Sequence, residues 1–236
     1  MHLLFNEDCL TGMARLDDHS IDMVLADPPY QTTHNSWDSL IDLDELWRQL
    51  KRVCKPCAAV VMTAAQPFTT KLIGSNLRDF KYCWYWRKNI ATGFLNAKKQ
   101  PLRAMEDVVV FYRKPPVYNP QMVDGEPYFT NPKGNHTPNY NPFHRVPTNC
   151  DGKRYPRNLL TINTERGLHP TQKPVALCEY LIQTYTNEGQ TVLDFCFGSG
   201  TCAVAAQNLG RGFVGFETSA EYFAIAQERL QNSKCG

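Results

Sequence analysis

The sequence has no long apolar stretch: none reaches the roughly 18 consecutive residues that a membrane-spanning helix requires. No secretory leader, with a basic start, an apolar centre and a small-residue cleavage site, precedes its first strand-like segment. These absences predict a cytoplasmic chain with no membrane partner. No second cysteine pair answers Cys54-x-x-Cys57, so these two read as packing positions rather than zinc ligands. No metal site is expected. The nine cysteines are odd in number and scattered, several of them within apolar runs, which favours reduced thiols over a disulfide framework. No internal repeat is visible, and the net charge is only +2. What remains is a chain of 236 residues, 42% apolar, able to bury a full α/β core as one domain, residues 1–236, with a sizeable insertion.

The stretch that organises the rest is Asp27-Pro28-Pro29-Tyr30, directly after the apolar run Ile21 to Ala26. Such a run reads as a buried parallel strand, which delivers Asp27 to the edge where open α/β sheets carry their chemistry. Each proline fixes its own φ and pushes the preceding residue into extended backbone, leaving stiff carbonyls free to accept hydrogen bonds. A carboxylate, carbonyls and a terminal aromatic ring suit a planar substrate with an exocyclic amino group, a description that adenine and cytosine both meet. A plain Pro-Pro turn followed by an exposed tyrosine is the alternative reading.

A second stretch narrows the choice. The segment Thr191 to Asp194 reads as a strand that passes through Phe195-Cys196-Phe197-Gly198-Ser199-Gly200-Thr201 into a helix from Ala203 to Leu209. Strand, Gly-x-Gly turn and helix N-terminus in succession bring backbone close to a nucleotide-type cofactor. The next strand, Gly212 to Phe216, ends on Glu217, a carboxylate placed to grip the hydroxyls of a ribose. No third glycine and no phosphate-directed lysine follows, which argues against a dinucleotide or a nucleoside triphosphate, and so against a nicotinamide-dependent oxidoreductase.

With these motifs in order, the chain resembles the amino-methylating DNA methyltransferases of the permuted β group. Their DPPY-type motif comes first, a variable target-recognition segment follows, and a cofactor motif of the form D-P-F-x-G-S-G-T comes last. The stretch His169-Pro170-Thr171-Gln172-Lys173-Pro174 matches the family's H-P-T-Q-K-P, and Asn6-Glu7-Asp8-Cys9-Leu10 is similar to its opening G-D-C-L. The resemblance implies a Rossmann-like, doubly wound, mostly parallel seven-stranded α/β sheet in circularly permuted order. It implies S-adenosylmethionine as cofactor and double-stranded DNA, with the target base flipped out, as substrate. Asp27, Pro28, Pro29 and Tyr30 become the catalytic residues, Tyr30 stacking on the base. Asp8, Cys9, Asp27, His169, Thr171, Lys173, Asp194, Phe195, Gly198, Ser199, Gly200, Thr201 and Glu217 become the cofactor-binding set. Relatives with D-P-P-Y often act on N6 of adenine and those with S-P-P-Y on N4 of cytosine, so adenine is expected and cytosine is the alternative. RNA or protein-amide methyltransferases usually carry N-P-P-Y and the unpermuted order, and a silent DNA-binding module would not need Asp27, Tyr30 and Glu217. Relatives are often dimers, so a homodimer is an expectation. Phe195 stands where the family has proline and Cys196 where it has phenylalanine, which leaves open whether Phe195 or Phe197 walls the cofactor.

Charge is uneven along the chain. Between Lys81 and Leu160 thirteen basic residues face five acids, a local balance of +8 within a chain of +2, and ten of the sixteen prolines fall there. Basic residues such as Arg154 and Arg157, mixed with Tyr118, Tyr128, Phe129, Tyr140, Phe143 and Tyr155 on irregular backbone, suit phosphates and unstacked bases. Residues 114–166 are therefore expected to be an irregular target-recognition insertion. Elsewhere the spacing predicts strands over 1–5, 21–27, 58–63, 82–88 and 107–112, the last an antiparallel partner that closes the sheet. Helices are predicted from Asp42 or Asp44 to about Lys55, ended by Pro56, and over 67–78, from Pro170 or Pro174 to Tyr185, and 219–230. The polar residues 31–40, Gln31 to Trp37 among them, are expected to form a mobile loop beside the site.

Overall fold

The computed structural model describes residues 2–30, 41–131, 146–165, 167 and 172–232. Gln31 to Trp37, Lys133, Tyr140, Phe143, Arg145, His169 and Thr171 lie outside the described residues. The chain divides into two compact units, one formed by Met1–Asn119 with Asn158–Gly236 and the other by Pro120–Arg157.

The first unit is built on one sheet with helices on both faces. Strand β2 (Ile21–Ala26) is buried throughout, and its side chains alternate between two cores. Met23 and Leu25 enter one core, while Val24 and Ala26 enter the other. A strand covered on both faces has no solvent side, which is why it reads as a continuous apolar run. The Val24 core is covered by α1 (Cys9–Met13), α2 (Leu43–Val53) and α3 (Phe68–Ser75). The opposite core is covered by α4 (Val175–Tyr185), α5 (Thr201–Asn208) and α6 (Ala220–Asn232).

Helix α2 shows how closely local sequence sets an element. Leu43, Leu46, Leu50 and Val53 recur on one face and are buried, and Asp42 caps the helix by accepting from Asp44 N at 3.0 Å and Glu45 N at 3.2 Å. Its end differs from the expectation. Strand β3 (Cys54–Ala64) begins immediately after Val53, and Pro56 lies inside that strand instead of stopping the helix. Lys55, Pro56 and Cys57 are exposed there, so proline's missing N–H is tolerated. Strands β4 (Phe80–Thr92) and β5 (Arg103–Phe111) are longer than predicted and pair antiparallel, and α3 is shorter, ending at Ser75.

With β1 (His2–Phe5), β10 (Leu159–Thr161), β11 (Thr191–Asp194) and β12 (Gly212–Phe216), the sheet order is β1-β12-β11-β2-β3-β5-β4-β10. All neighbours are parallel except β3 with β5 and β5 with β4. The sheet is the expected doubly wound, mostly parallel one, with eight strands instead of seven. The extra strand is β10, from the segment expected to be irregular: it pairs with Tyr85–Arg87, Leu160 is buried, and Trp86 Nε1 donates to Ile162 O at 2.8 Å. Three residues are too few to show a period-2 pattern.

The Pro120–Arg157 unit contains two short antiparallel ribbons, β6 (Val123–Asp124) with β9 (Lys153–Arg154) and β7 (Tyr128–Thr130) with β8 (Thr148–Cys150). Gly152, at φ 97°, makes the turn into β9; its carbonyl accepts from Gly125 N at 2.8 Å, and a Cβ there would meet Gly125 O at 2.5 Å. Arg154 donates to Glu126 O and lies 5.1 Å from the centroid of Tyr128.

Asp22 ties the parallel strands together at the end opposite to Asp27. Its side chain is 7% exposed and accepts from Lys55 Nζ at 2.7 Å, Gln190 Nε2 at 3.0 Å and Thr191 N at 3.0 Å. Asp22→Ala strands these donors and should lower the unfolding free energy by about 1–3 kcal/mol. Urea denaturation measures this as a lower midpoint at unchanged slope; an unchanged midpoint would show that the buried carboxylate is not holding the strands.

Candidate active site

Because β1, β12, β11 and β2 are parallel, their C-terminal ends lie along one edge of the sheet. That edge receives Asp8, Glu217, Asp194 and Asp27 from four separate stretches of sequence. All four line one cavity of about 490 Å³, together with Cys9, Pro28, Pro29, Tyr30, Lys173, Phe195, Gly198, Ser199 and Thr201. Every predicted site residue within the described set therefore reaches this cavity except Gly200. That glycine, at φ 80°, sits against α6: a Cβ there would lie 2.7 Å from Ala226 Cβ, so its smallness lets α5 pack on α6. His169 and Thr171 fall outside the described residues.

Asp27 is the most heavily bound of the acids. Oδ2 accepts from Lys173 Nζ at 2.5 Å. Oδ1 accepts from Tyr30 Oη at 2.6 Å and, in a short contact, from Thr63 Oγ1 at the end of β3. Burial alone would raise its carboxyl pKa, but the charge of Lys173 and these hydrogen bonds outweigh burial and hold it below the usual range. The group is thus an ionised, oriented acceptor. Phe68 backs the Tyr30 ring at 5.2 Å between centroids, nearly parallel, which fixes the plane of the phenol.

Two further charges extend the network. Lys173 Nζ lies 3.4 Å from Glu106 Oε2 on β5, and Glu106 Oε1 accepts from Lys88 Nζ on β4 at 2.8 Å. Lys88 is almost wholly buried, so it belongs to the site and not to the exposed basic surface in which the sequence count placed it. Thr63, Glu106 and Lys88 were missed from sequence. Their signal was a polar residue inside a strand otherwise built of apolar residues, Ala58 to Ala64 for Thr63, but which of these face the cavity depends on register.

The other half of the cavity is the turn after β11. Glu217 holds it, with Oε2 accepting from Gly198 N at 2.9 Å and Oε1 from Ser219 N at 2.8 Å. Arg229 on α6 braces it from outside, Nη1 donating to Ser199 O at 2.7 Å and lying 3.1 Å from Thr201 Oγ1. Asp8 caps α1 by accepting from Thr11 N at 3.0 Å, a local duty that fixes its position at the rim. Phe195 and Phe197 are both buried, the former with the α1–α3 core and the latter with the α4–α6 core. Cys196 donates its thiol to Asp27 O at 3.3 Å, linking the turn to the proline ledge. Asp194 accepts from Cys196 N at 3.1 Å; burial, with smaller contributions from Asp27 and Glu217, pushes its pKa up to about 8. With Asp194 protonated up to about pH 8, the cavity offers a neutral carboxyl at the end of β11 and, beside the ionised Asp27, a place for a neutral donor of amine hydrogens.

Residues 21–228 match the DNA methylase family (N6_N4_Mtase). Among curated relatives, the Type II methyltransferase M2.DpnII of Streptococcus pneumoniae is 27% identical over 257 residues, 97% of this chain and 89% of that protein. Among solved structures, the M1.HpyAVI–SAM complex is 24% identical with a TM-score of 0.66, covering 98% of this chain and 99% of that one. The cytosine-N4-specific PvuII DNA methyltransferase superposes with a TM-score of 0.73 at 17% identity, covering 97% and 86%. At these identities the two structural likenesses establish the fold.

The raised pKa of Asp194 fixes the sign of a pH effect. In the folded chain Asp194 keeps its proton to about pH 8, whereas its ordinary value is 3.8. The stability it contributes is therefore complete below about pH 4 and is lost as pH rises toward 8. Asp194→Asn removes that loss, so the variant should gain on the wild type across this window, by up to about 1.4 kcal/mol per pH unit. Denaturation of both proteins without ligand at pH 5 and pH 8 measures the gap; a constant gap would contradict the raised value.

Proposed function

The chain belongs to the DNA methylase family, and from that premise we propose that it is a site-specific modification enzyme transferring methyl from S-adenosylmethionine to N6 of adenine in double-stranded DNA. The observation that carries this reading is the shared cavity, in which an ionised Asp27 on its proline ledge faces the glycine turn held by Glu217. The residues fit the cofactor. Glu217 would accept hydrogen bonds from its ribose hydroxyls, Asp194, protonated to about pH 8, would hold the turn through Cys196 N, and Asp8 with the backbone of Cys9 would read its adenine. Phe195, Gly198, Ser199, Gly200 and Thr201 form or support the turn around it, and Lys173 would approach its methionine end; a role for His169 and Thr171 there rests on the family motif alone. When bound, S-adenosylmethionine supplies a methyl already activated by the sulfonium.

The chain's task is then alignment and charge. Asp27 and the Pro28 carbonyl accept the two amine hydrogens, which turns the nitrogen lone pair toward the methyl for in-line displacement. Methyl transfer to the amine would place positive charge on that nitrogen, and the Asp27 carboxylate would stabilise it. Fixed electrostatics of this kind stabilise a transition state without reorganisation. Lys173 and Thr63 keep Asp27 ionised and therefore a weak base, so its role is to orient and stabilise, and the departing proton passes to solvent. Tyr30, fixed by Phe68, stacks on the extruded base.

The Pro120–Arg157 unit, within the 114–166 insertion, supplies target recognition, the chain works as a homodimer, and it acts in the cytoplasm. Among the described residues no helix is long and apolar enough to cross a membrane. Adenine is preferred over N4 of cytosine because of the Asp27-Pro28-Pro29-Tyr30 motif, since the ledge itself accepts either amine.

Incubating the protein with unmethylated DNA and radiolabelled S-adenosylmethionine, followed by nucleoside analysis and mapping, tests the proposal. The expected product is N6-methyladenine at one sequence context, with Asp27→Ala slowed on the order of 100-fold or more. N4-methylcytosine would reverse the substrate assignment. Transfer by Asp27→Ala at the wild-type rate would remove Asp27 from the chemistry.

A further inference from the structure

Strands β4 and β5 run past the edge of the sheet that carries the site. Strand β3 ends at Ala64, opposite Asp107, but β4 and β5 continue to pair through Trp86–Glu106, Arg87–Met105 and finally Thr92–Arg103. The overhang lies at the C-terminal end of β3, the same edge to which β2 delivers Asp27. Ile90, Thr92, Arg103 and Met105 on this arm line the cavity that holds Asp27. The arm is thus a wall of the mouth through which a base enters.

Its tip is unusual chemically. Gly93, at φ 91°, turns the chain into a single 3-10 turn, Phe94–Asn96, whose Phe94 is 81% and Leu95 98% exposed. Two large apolar side chains in water at the end of a hairpin bury little within their own fold. Around them the arm from Asn89 to Met105 carries Lys98, Lys99 and Arg103 and no acid. Positive charge flanking an apolar wedge complements a polyanion with a stacked apolar interior. Proteins that unstack a duplex insert Phe or Leu between base steps while cations hold the phosphates.

On this basis, and resting on the methyl-transfer reading above, we propose that the β4–β5 hairpin is a strand-separating wedge. Phe94 and Leu95 enter the duplex where the target base has left, and Lys98, Lys99 and Arg103 bind the adjoining phosphates. The occupant of this surface is duplex DNA. The wedge fills the gap in the stack and prevents the base from returning while Asp27 holds its amine.

The experiment compares wild type with Phe94→Ala/Leu95→Ala on two oligonucleotide duplexes carrying the mapped site. In one the target base is normally paired; in the other an abasic position stands opposite, so the target needs no help to leave the helix. Both side chains are exposed, and thermal unfolding together with S-adenosylmethionine affinity serves as the check that the variant is folded. The expected result is a loss of at least 10-fold in transfer to the paired duplex, largely recovered on the abasic one. On the paired duplex the variant should also lose the rise in 2-aminopurine fluorescence that wild type shows with the probe at the target position. An unchanged rate on paired DNA would overturn the wedge, as would equal losses on both duplexes, which would make the tip a plain contact. A change in sedimentation without recovery would overturn it in favour of a surface between two copies of the chain. Wild type inactive on both duplexes would instead sink the methyl-transfer reading and the wedge with it.

Discussion

The pairing of Asp27 with Lys173 is the interaction on which the site depends. It joins the end of β2 to the segment that leads into α4, 146 residues later in the chain. Both partners are largely withdrawn from water, and a pair removed from water is stable only if its remaining hydrogen-bonding capacity is met. Here it is met from three directions: Thr63 and Tyr30 bind Asp27, and Glu106, itself paired with Lys88, faces Lys173. Asp27 is lowered and Lys173 raised in pKa, in each case against the pull of burial, which is the sign of a network in which charge is better solvated by neighbours than lost. An acid held in this way is unsuited to taking a proton and well suited to fixing the direction of one.

Nothing in this arrangement depends on where the chain starts. Joining α6 to β1 and opening the chain before β11 would give the order β11, β12, β1, β2, β3 with the sheet unaltered, and the reversal of direction would still fall between β11 and β2, the two strands that carry Asp194 and Asp27. Parallel strands present their C-terminal ends together whatever their order in sequence, so a permuted chain keeps its cofactor turn and its proline ledge side by side. The thiol of Cys196 bound to the carbonyl of Asp27 is the most direct trace of that adjacency.

Much of this was legible in the residues because the central strands are short, almost wholly buried and punctuated. Ile21 to Ala26 leads straight into Asp27 and Pro-Pro, and Thr191 to Asp194 ends on an acid shortly before Gly-x-Gly, so their edge of the sheet could be read directly. What escaped was set by pairing across the sheet. Thr63 reaches Asp27 because β3 lies beside β2, and Glu106 reaches Lys173 because β5 runs antiparallel in a register that no spacing along the chain reveals. The same reason explains the miscounting of Lys88 as surface charge, since its partner Glu106 is eighteen residues away along a hairpin. Pro56 misled for a different reason: as a helix breaker it is also tolerated where a strand begins in solvent.

The hairpin and the Asp27 carboxylate are mechanically one piece. Lys88 and Glu106 stand at the base of the β4–β5 arm, and Glu106 shares the environment of Lys173 Nζ with Asp27. A displacement of the arm would carry Glu106 with it and leave Lys173, largely buried, facing a single anion. Because uncompensated buried charge is costly, the ion-pair chain resists that displacement and holds the arm in a fixed relation to the ledge. The mouth of the cavity is therefore set by the same charges that keep Asp27 ionised, so any group admitted past the hairpin meets an acceptor already in position.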